Sequence, residues 1–525
     1  MHISTDRFTD NVKQALVNRQ LQDALAKMKV GFVERRRKAA DRLPEFEALR
    51  DAARDIKNHT LANLDFYLEK FERKVAENGG AVHWCPDADT ARDTILNICR
   101  LVNARTVTKG KTMIGEEIEI NEFLEANGIT PVETDLGEYI IQLRHEPPSH
   151  VVAPAIHVSK DQIAEAFREH HAGLDPNRPL TEPTALLAEA RRVLRERFLE
   201  ADVGITGANL MIAETGSTVI VTNEGNGDLT QTLPRVHIVL CSIEKLVPTL
   251  DDATTILRVL ARSATGQEMS VYTTFSTGPR RKGDLDGPEQ FHVVILDNGR
   301  SKLLGGDFQD ILRCIKCGAC MNHCPVYGAI GGHAYGWVYS GPLGKVLTPG
   351  LIGLEKAHDL PNASTFCGRC EEVCPMRIPL PKLMRRWREK EFDRHMMPSK
   401  SRWALRLWGF GALRPALYRL GTWFALRYLR RRAERGWIAA LKYAEGWTVC
   451  RDLPAPAART FQSQWHGRRR PLKPEKAAKA AKPPKPSKKP AAWPTTTKTP
   501  PSQAGKSIGK MPPPLKPPPQ ARKPR

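Results

Sequence analysis

The 525-residue chain has no run of about 18 consecutive apolar residues, the length a membrane-spanning helix needs. Its most apolar late stretch, residues 403–428, is broken by Arg406, Arg414, Arg419 and Arg427, so no transmembrane span is expected. The opening Met1-His2-Ile3-Ser4-Thr5-Asp6-Arg7-Phe8 has neither an apolar h-region nor a small-residue cleavage site. It reads as no secretory signal, and the cytoplasm is the expected location. Neither a Rossmann G-x-G-x-x-G fingerprint nor a P-loop is present, so the chain shows no recognisable flavin or nicotinamide site. Acidic residues almost vanish at one end: residues 467–525 hold 17 Lys+Arg and the single acid Glu475. The formal charge of +22 is therefore a C-terminal property, with +16 in residues 467–525 and +13 in residues 376–450. Residues 1–375 carry −8, which argues against specific nucleic-acid binding by the main fold.

What is present is enough for a large core, with 41% hydrophobic residues and a length that suits several domains. Residues 1–60 are charged and helix-periodic, with Leu16, Leu21, Leu25 and Met28 at helical spacing. The run Arg35-Arg36-Arg37-Lys38 reads as a solvated helix face. Residues 61–300 alternate β-rich runs (81–84, 138–141, 218–221, 236–240, 292–296) with helical ones such as 185–198 and 254–261. That alternation predicts an α/β domain with a largely parallel sheet. Residues 301–398 are cysteine-rich, with helical flanks at 308–313 and 380–392. Residues 399–466 form a basic, Trp- and Arg-rich helical region. Sixteen prolines fall among residues 467–525, which predicts a disordered tail of polyproline II character.

Seven of the eleven cysteines crowd into residues 314–374, which reads as a metal or redox site rather than a disulfide framework. Cys314-Ile-Lys-Cys317-Gly-Ala-Cys320-Met-Asn-His-Cys324-Pro325 has the C-x2-C-x2-C-x3-C-P spacing. In that pattern three thiolates wrap one iron–sulfur cluster and the fourth turns to a second. Zinc is the competing reading for paired C-x2-C units, and the four cysteines in eleven residues with a terminal proline favour iron–sulfur. The second group, Cys367-Gly-Arg-Cys370-Glu-Glu-Val-Cys374-Pro375, lacks its first ligand, and Ser364 stands there. Cross-ligation then assigns Cys314, Cys317, Cys320 and Cys374 to one 4Fe-4S cluster. Cys324, Cys367 and Cys370 go to a second, which is either 4Fe-4S with a non-cysteine fourth ligand or 3Fe-4S. The intervening 42 residues are Gly-rich, and His323 and His333 read as packing or hydrogen-bonding groups before ligands. Cys85, Cys99, Cys241 and Cys450 are scattered, and Cys99 and Cys241 read as buried thiols.

Several polar, loop-like stretches within 61–300 exceed what a core requires. They are Lys109-Gly110-Lys111, residues 133–138, residues 204–209, Glu214-Thr215-Gly216-Ser217-Thr218 and Thr222-Asn223-Glu224-Gly225-Asn226-Gly227. The last two flank one strand, where open α/β sheets place ligand crevices. Lys109, Lys111, Glu214 and Glu224 are the pocket candidates, with solvated loop charges as the bland alternative.

Taken with Thr60-Leu61-Ala62-Asn63-Leu64-Asp65, Val107-Thr108, Gly207-Ala208-Asn209, Leu296-Asp297-Asn298-Gly299-Arg300 and both cysteine groups, these motifs resemble the lactate-utilisation iron–sulfur proteins of the LutB type. The resemblance covers roughly residues 1–450. It implies an α/β LUD domain, similar to the CoA-transferase/ribose-5-phosphate isomerase-like class, followed by an α-helical ferredoxin-type domain. It also implies a cytoplasmic three-protein system that oxidises L-lactate to pyruvate. The expected partners are an iron–sulfur protein of the CCG type and a second LUD protein, with a quinone or cytochrome as acceptor. Two other readings stay open: an iron–sulfur subunit of another 2-hydroxy-acid or quinone-linked dehydrogenase, such as one for glycolate, and a non-enzymatic redox-sensing or scaffold protein. The basic region 376–450 reads first as ordinary packing helices with snorkelling side chains, and otherwise as a surface for an acidic partner or the inner face of a membrane.

Overall fold

The computed structural model describes residues 3–441 and 452–469. Two compact units divide the chain, Met1–Leu405 and Arg406–Arg525. Cys450 and the Lys/Pro-rich tail from residue 470 onward lie outside the described residues.

In the first unit, helices Phe8–Val17, Arg19–Asp41, Phe46–Ala62 and Leu64–Glu77 precede the first strand. Ten strands follow: β1 (Ala81–Cys85), β2 (Thr106–Gly110), β3 (Thr130–Glu133), β4 (Val203–Gly207), β5 (Leu210–Ile212), β6 (Ser217–Thr222), β7 (Val236–Ser242), β8 (Leu246–Val247), β9 (Tyr272–Ser276) and β10 (Gln290–Leu296). Six make an all-parallel sheet in the order β1-β10-β7-β4-β2-β3. Parallel sheets are covered on both faces, and their strands are continuously apolar. Along β10, Val294 and Leu296 pack with Ile95 and Cys99 of helix Ala88–Leu101. Val293 and Ile295 pack with Phe71 and Val75 of helix Leu64–Glu77 on the other face. Cys99 and Cys241 are buried free thiols.

The remaining four strands form a second sheet in the order β8-β5-β6-β9, with β6 antiparallel to both neighbours. The strand expected at 218–221 therefore belongs outside the parallel sheet. Its core is continuous with the cysteine-rich segment: Leu210, Ile212 and Val219 share one apolar cluster with Ile256, Ile311, Leu343 and Trp387.

One expected strand is a helix. Residues 138–141 fall within helix Leu136–Leu143, because the Asp135 carboxylate accepts from the Gly137 and Glu138 amides and starts a turn there. Lys109-Gly110 and residues 204–207, expected in loops, end strands β2 and β4.

The cysteine-rich segment consists of short helical turns around Gly341–Ile352 and Leu380–Asp393. Arg36 departs from the solvated run expected at 35–38. Its guanidinium reaches the Val373 carbonyl at 2.9 Å.

In the second unit, Pro415–Arg432 is helical, and helix Ser399–Ala412 ends inside it. Helix Phe461–Arg469 runs past residue 466, where the tail was expected to begin. Among the described residues, no helix is long and apolar enough to cross a membrane.

Candidate metal centre and adjoining cavities

The two cysteine groups are built alike. Gly318 and Gly368 both adopt left-handed backbone, φ 72° and 80°, immediately before the one-turn helices Ala319–Asn322 and Arg369–Glu372. Glycine reaches that conformation without a Cβ penalty, so each C-x-x-C loop can fold back over its own thiols. Cys314, Cys317, Cys320 and Cys374 line one small cavity, whose other walls are apolar side chains such as Ile311, Leu343 and Met376. Cys324, Cys367 and Cys370 line another, together with His323, Lys345, Ser364 and Thr365. Cys320 lies in helix Ala319–Asn322 and Cys324 just beyond its C-cap, so one short turn of chain serves both cavities and they adjoin.

Burial pushes the free thiols up, Cys314 to about 11 and Cys317 and Cys370 to about 12. Cys367 moves the other way, lowered first by the backbone N–H of Arg369. Backbone N–H groups already point at sulfur: Lys316 at Cys314 (3.4 Å), Tyr327 at Cys324 (3.5 Å) and Ile378 at Cys374 (3.5 Å). The Lys345 ammonium donates to Cys324 Sγ at 3.6 Å. Hydrogen bonds of this kind stabilise thiolate and tune a bound cluster. Clustered thiols, apolar walls and N–H groups aimed at sulfur fit iron–sulfur groups in both cavities.

The turn that presents Cys374 is held by the N-terminal helices. Buried Arg50 donates to the carbonyls of Glu372 (2.6 Å) and Cys374 (2.7 Å). His323 Nδ1 donates to the Ala319 carbonyl (2.9 Å), and His333 Nε2 donates to the Pro147 carbonyl (2.7 Å) on the wall of a different cavity.

The four pocket candidates do not share one site. Lys109 is fully buried at the end of β2, with Glu116 at 2.6 Å and Glu133 at 2.7 Å. Burial alone would lower its ammonium, and these two carboxylates more than reverse the effect. Burial raises the Glu133 carboxyl and, with the Glu133 charge nearby, holds Glu138 well above its usual range. Glu116, Glu133 and Glu138 line a cavity of about 640 Å³ together with Asn121, His145 and His333. Lys111 instead pairs with Asp135 at 2.9 Å and lines a separate cavity of about 140 Å³. Glu214 and Glu224 are exposed at opposite ends of β6, roughly 15–20 Å of strand apart. Glu214 accepts from the Leu250 amide and caps helix Leu250–Ala264.

Sequence reasoning missed the polar network joining the two halves of the first unit. Arg300 is ion-paired to Glu117 (2.6 Å) and Glu244 (3.1 Å), and Lys316 Nζ donates to the Tyr339 hydroxyl (3.0 Å). Burial would raise the Glu244 carboxyl, but Arg300, Lys316 and Lys245 outweigh it and hold the group at about 2. Arg300 and Lys316 lay in motifs that sequence inspection had marked, without either role being seen, whereas Glu117, Glu244 and Tyr339 lay in none.

Comparison with known proteins matches three families along the chain. Residues 68–296 match the LUD domain family, residues 310–378 the 4Fe-4S dicluster domain, and residues 379–470 the C-terminal family of lactate utilisation protein B. Lactate utilization protein B of Bacillus licheniformis is 42% identical over 476 residues, covering 90% of this chain and 98% of that protein. Its counterpart in Bacillus subtilis is 42% identical over 465 residues, 88% of this chain and 96% of that one. For Geobacillus thermodenitrificans the figures are 43% over 473 residues, 90% and 98%. A LUD domain, an iron–sulfur segment and relatives matched along nearly their whole length place this chain in the lactate utilization protein B family.

Proposed function

We propose that this chain is the iron–sulfur electron-transfer subunit of a three-component system oxidising L-lactate to pyruvate. The observation that carries the reading is the pair of adjoining thiol-lined cavities, one with four cysteines and one with three. Cys314, Cys317, Cys320 and Cys374 would hold a 4Fe-4S cluster. Cys324, Cys367 and Cys370 would hold the second, either 4Fe-4S with a non-cysteine ligand or 3Fe-4S. Ser364 and Thr365 line that second cavity, and among the described residues no fourth cysteine does. Such groups supply one-electron transfer, and two adjoining centres suit the two electrons released by a 2-hydroxy acid. The chain's own residues exclude water with apolar walls, fix the sulfurs through backbone N–H groups and place Lys345 beside Cys324.

The partners in this reading are an iron–sulfur protein of the CCG type and a second LUD protein. A quinone or cytochrome accepts the electrons, at a cytoplasmic location. The similarly named relatives support the lactate assignment. The test is anaerobic reconstitution with both partners, followed by rapid-freeze EPR after adding L-lactate or glycolate. Cluster reduction by L-lactate at the rate of pyruvate formation is expected. Reduction by glycolate alone, or none that keeps pace with turnover, overturns the reading. Iron counting with oxidised-state EPR decides between seven and eight irons, the totals of one 4Fe-4S cluster with a 3Fe-4S or a second 4Fe-4S cluster.

A further inference from the structure

We propose that the cavity of about 140 Å³ between the Cys314–Cys317 loop and the LUD domain is a binding site for a small carboxylate of the 2-hydroxy- or 2-oxo-acid class. The identity of the acid rests on the lactate reading above; the anion preference rests on the cavity itself. Lys111, Lys245 and Lys316 line it, and no aspartate or glutamate does. Lys245 is 7% exposed and makes no direct hydrogen bond or close ion pair among the described residues, the Glu244 charge acting on it only at longer range. A buried ammonium without a direct hydrogen-bond acceptor is costly, and an anion in the cavity lowers that cost. The neighbouring Glu244 is already committed to Arg300 at 3.1 Å.

Position agrees with charge. The cavity opens where strands β2 and β4 end, next to Gly207, Ala208 and Asn209, and open α/β sheets take their ligands at such carboxyl ends. Thr222 and Asn223 add polar groups from the end of β6. Two motifs marked in the sequence, residues 207–209 and 222–223, thus meet in one place, though they belong to different sheets. The volume holds a few waters at about 30 Å³ each, and so an acid of three or four carbons but not a flavin or nucleotide. Cys317 and Ile315 form the opposite wall, so the bound acid lies against the first cysteine group. The competing explanation is that the lysines only balance the charge of iron-bound thiolates.

The test uses the full chain, loaded with iron and sulfide under anaerobic conditions and titrated calorimetrically with pyruvate, oxalate and neutral pyruvamide. One equivalent of pyruvate or oxalate is expected to bind and pyruvamide is not. Lys245→Met should weaken oxalate at least tenfold, while Lys302→Met on the surface leaves it unchanged. Should Lys245→Met lose iron, Asn209→Ala and Thr222→Val in iron-replete protein carry the same expectation of weaker binding. Absence of oxalate and pyruvate binding overturns the site. So does a Lys245→Met protein that shifts the cluster potential but binds oxalate as the parent does. Lactate-driven cluster reduction persisting in the three-protein complex under either outcome leaves the electron-transfer reading standing and removes only this site.

An independent observation in the second unit carries a second inference: we infer that residues 406–432 dock on an anionic lipid surface. The segment has seven arginines and no acid. Helix Pro415–Arg432 buries none of its residues. Leu417, Leu420, Phe424 and Tyr428 recur at helical spacing, each at least 45% exposed, and Trp423 is 48% exposed. Arg427 and Arg432 lie over the Trp423 and Tyr428 rings, so charge and apolar surface share one face. Aromatic and apolar groups interleaved with unopposed arginine match the lipid interface, where rings enter the acyl boundary and guanidinium groups meet phosphate. The full chain should co-sediment with vesicles containing phosphatidylglycerol, at least tenfold less with pure phosphatidylcholine, and less for Trp423→Ser/Phe424→Ser. Equal retention of that variant, or a three-protein complex that ignores anionic vesicles because a partner covers the helix, overturns the inference.

Discussion

Arg300 holds Glu117 through two parallel bonds, Nη1 to Oε1 at 2.9 Å and Nη2 to Oε2 at 2.6 Å, with both side chains at zero exposure. The Tyr339 hydroxyl also donates to Glu117, so the pair ties the LUD domain to the cysteine-rich segment. Removing one member of a buried pair strands the other charge, a loss of about 3–5 kcal/mol. Arg300→Met should therefore lower the unfolding free energy from urea titration by about 3–5 kcal/mol, seen as a lower midpoint. Arg300→Lys should lie between the two, since lysine keeps the charge but not the planar fork. A midpoint for Arg300→Met within error of the parent would show that the network contributes nothing net.

The two thiol-lined cavities make separate demands on iron. Cys374→Ala should deplete the cluster served by Cys314, Cys317 and Cys320, although Cys374 lies within the other group's sequence motif. Cys370→Ala should deplete the other. Each variant should retain about half the iron and only one of the two EPR signals. If both variants lose the same signal, the division by cavity is wrong.

Sequence reading worked best where the determinant was local: the runs at 236–240 and 292–296 are apolar throughout because both sheet faces are covered. Cysteine spacing is local too, but Cys374 joins Cys314, Cys317 and Cys320 at one cavity from far along the chain. Residues 138–141 misled because a short apolar run looks the same in a helix and a strand, and only the Asp135 cap three positions earlier separates them. Lys109 looked like a loop residue because lysine is rarely buried. Glu116 and Glu133, which permit its burial, lie 7 and 24 positions away. Lys245 and Lys316 were invisible as a pair, since their meeting depends on how the cysteine loop packs against the LUD domain.

Gly332 tests how closely the glycine-rich insert must approach the LUD domain. A Cβ at this position would stand 1.7 Å from the Ser149 carbonyl oxygen, which also accepts from the Tyr327 hydroxyl at 2.8 Å. Nothing there can yield without moving backbone, so Gly332→Ala should cost about 1–3 kcal/mol in thermal or urea unfolding. Gly306→Ala is the control, because its nearest neighbour would be 3.7 Å away. That control should stay within about 0.5 kcal/mol of the parent. Equal effects of the two substitutions would refute the close-approach argument.

Lys57 gives the chain a pH dependence of definite sign. Burial is the main cause that pulls its ammonium from 10.5 down to about 7, and the Glu244 charge offsets only part of it. Its Nζ donates to the carbonyls of Glu244 and Leu246, the latter at 3.0 Å, on either side of Lys245. Between pH 7 and 10.5 the unfolded chain keeps a proton that the folded chain releases. Stability therefore rises with pH across that window, by at most about 1.4 kcal/mol per pH unit, and this group adds no slope below it. Urea midpoints at pH 7, 8 and 9 under anaerobic conditions should climb for the parent relative to Lys57→Met. Parallel lines for the two proteins would mean that the carbonyl bonds keep Lys57 protonated throughout.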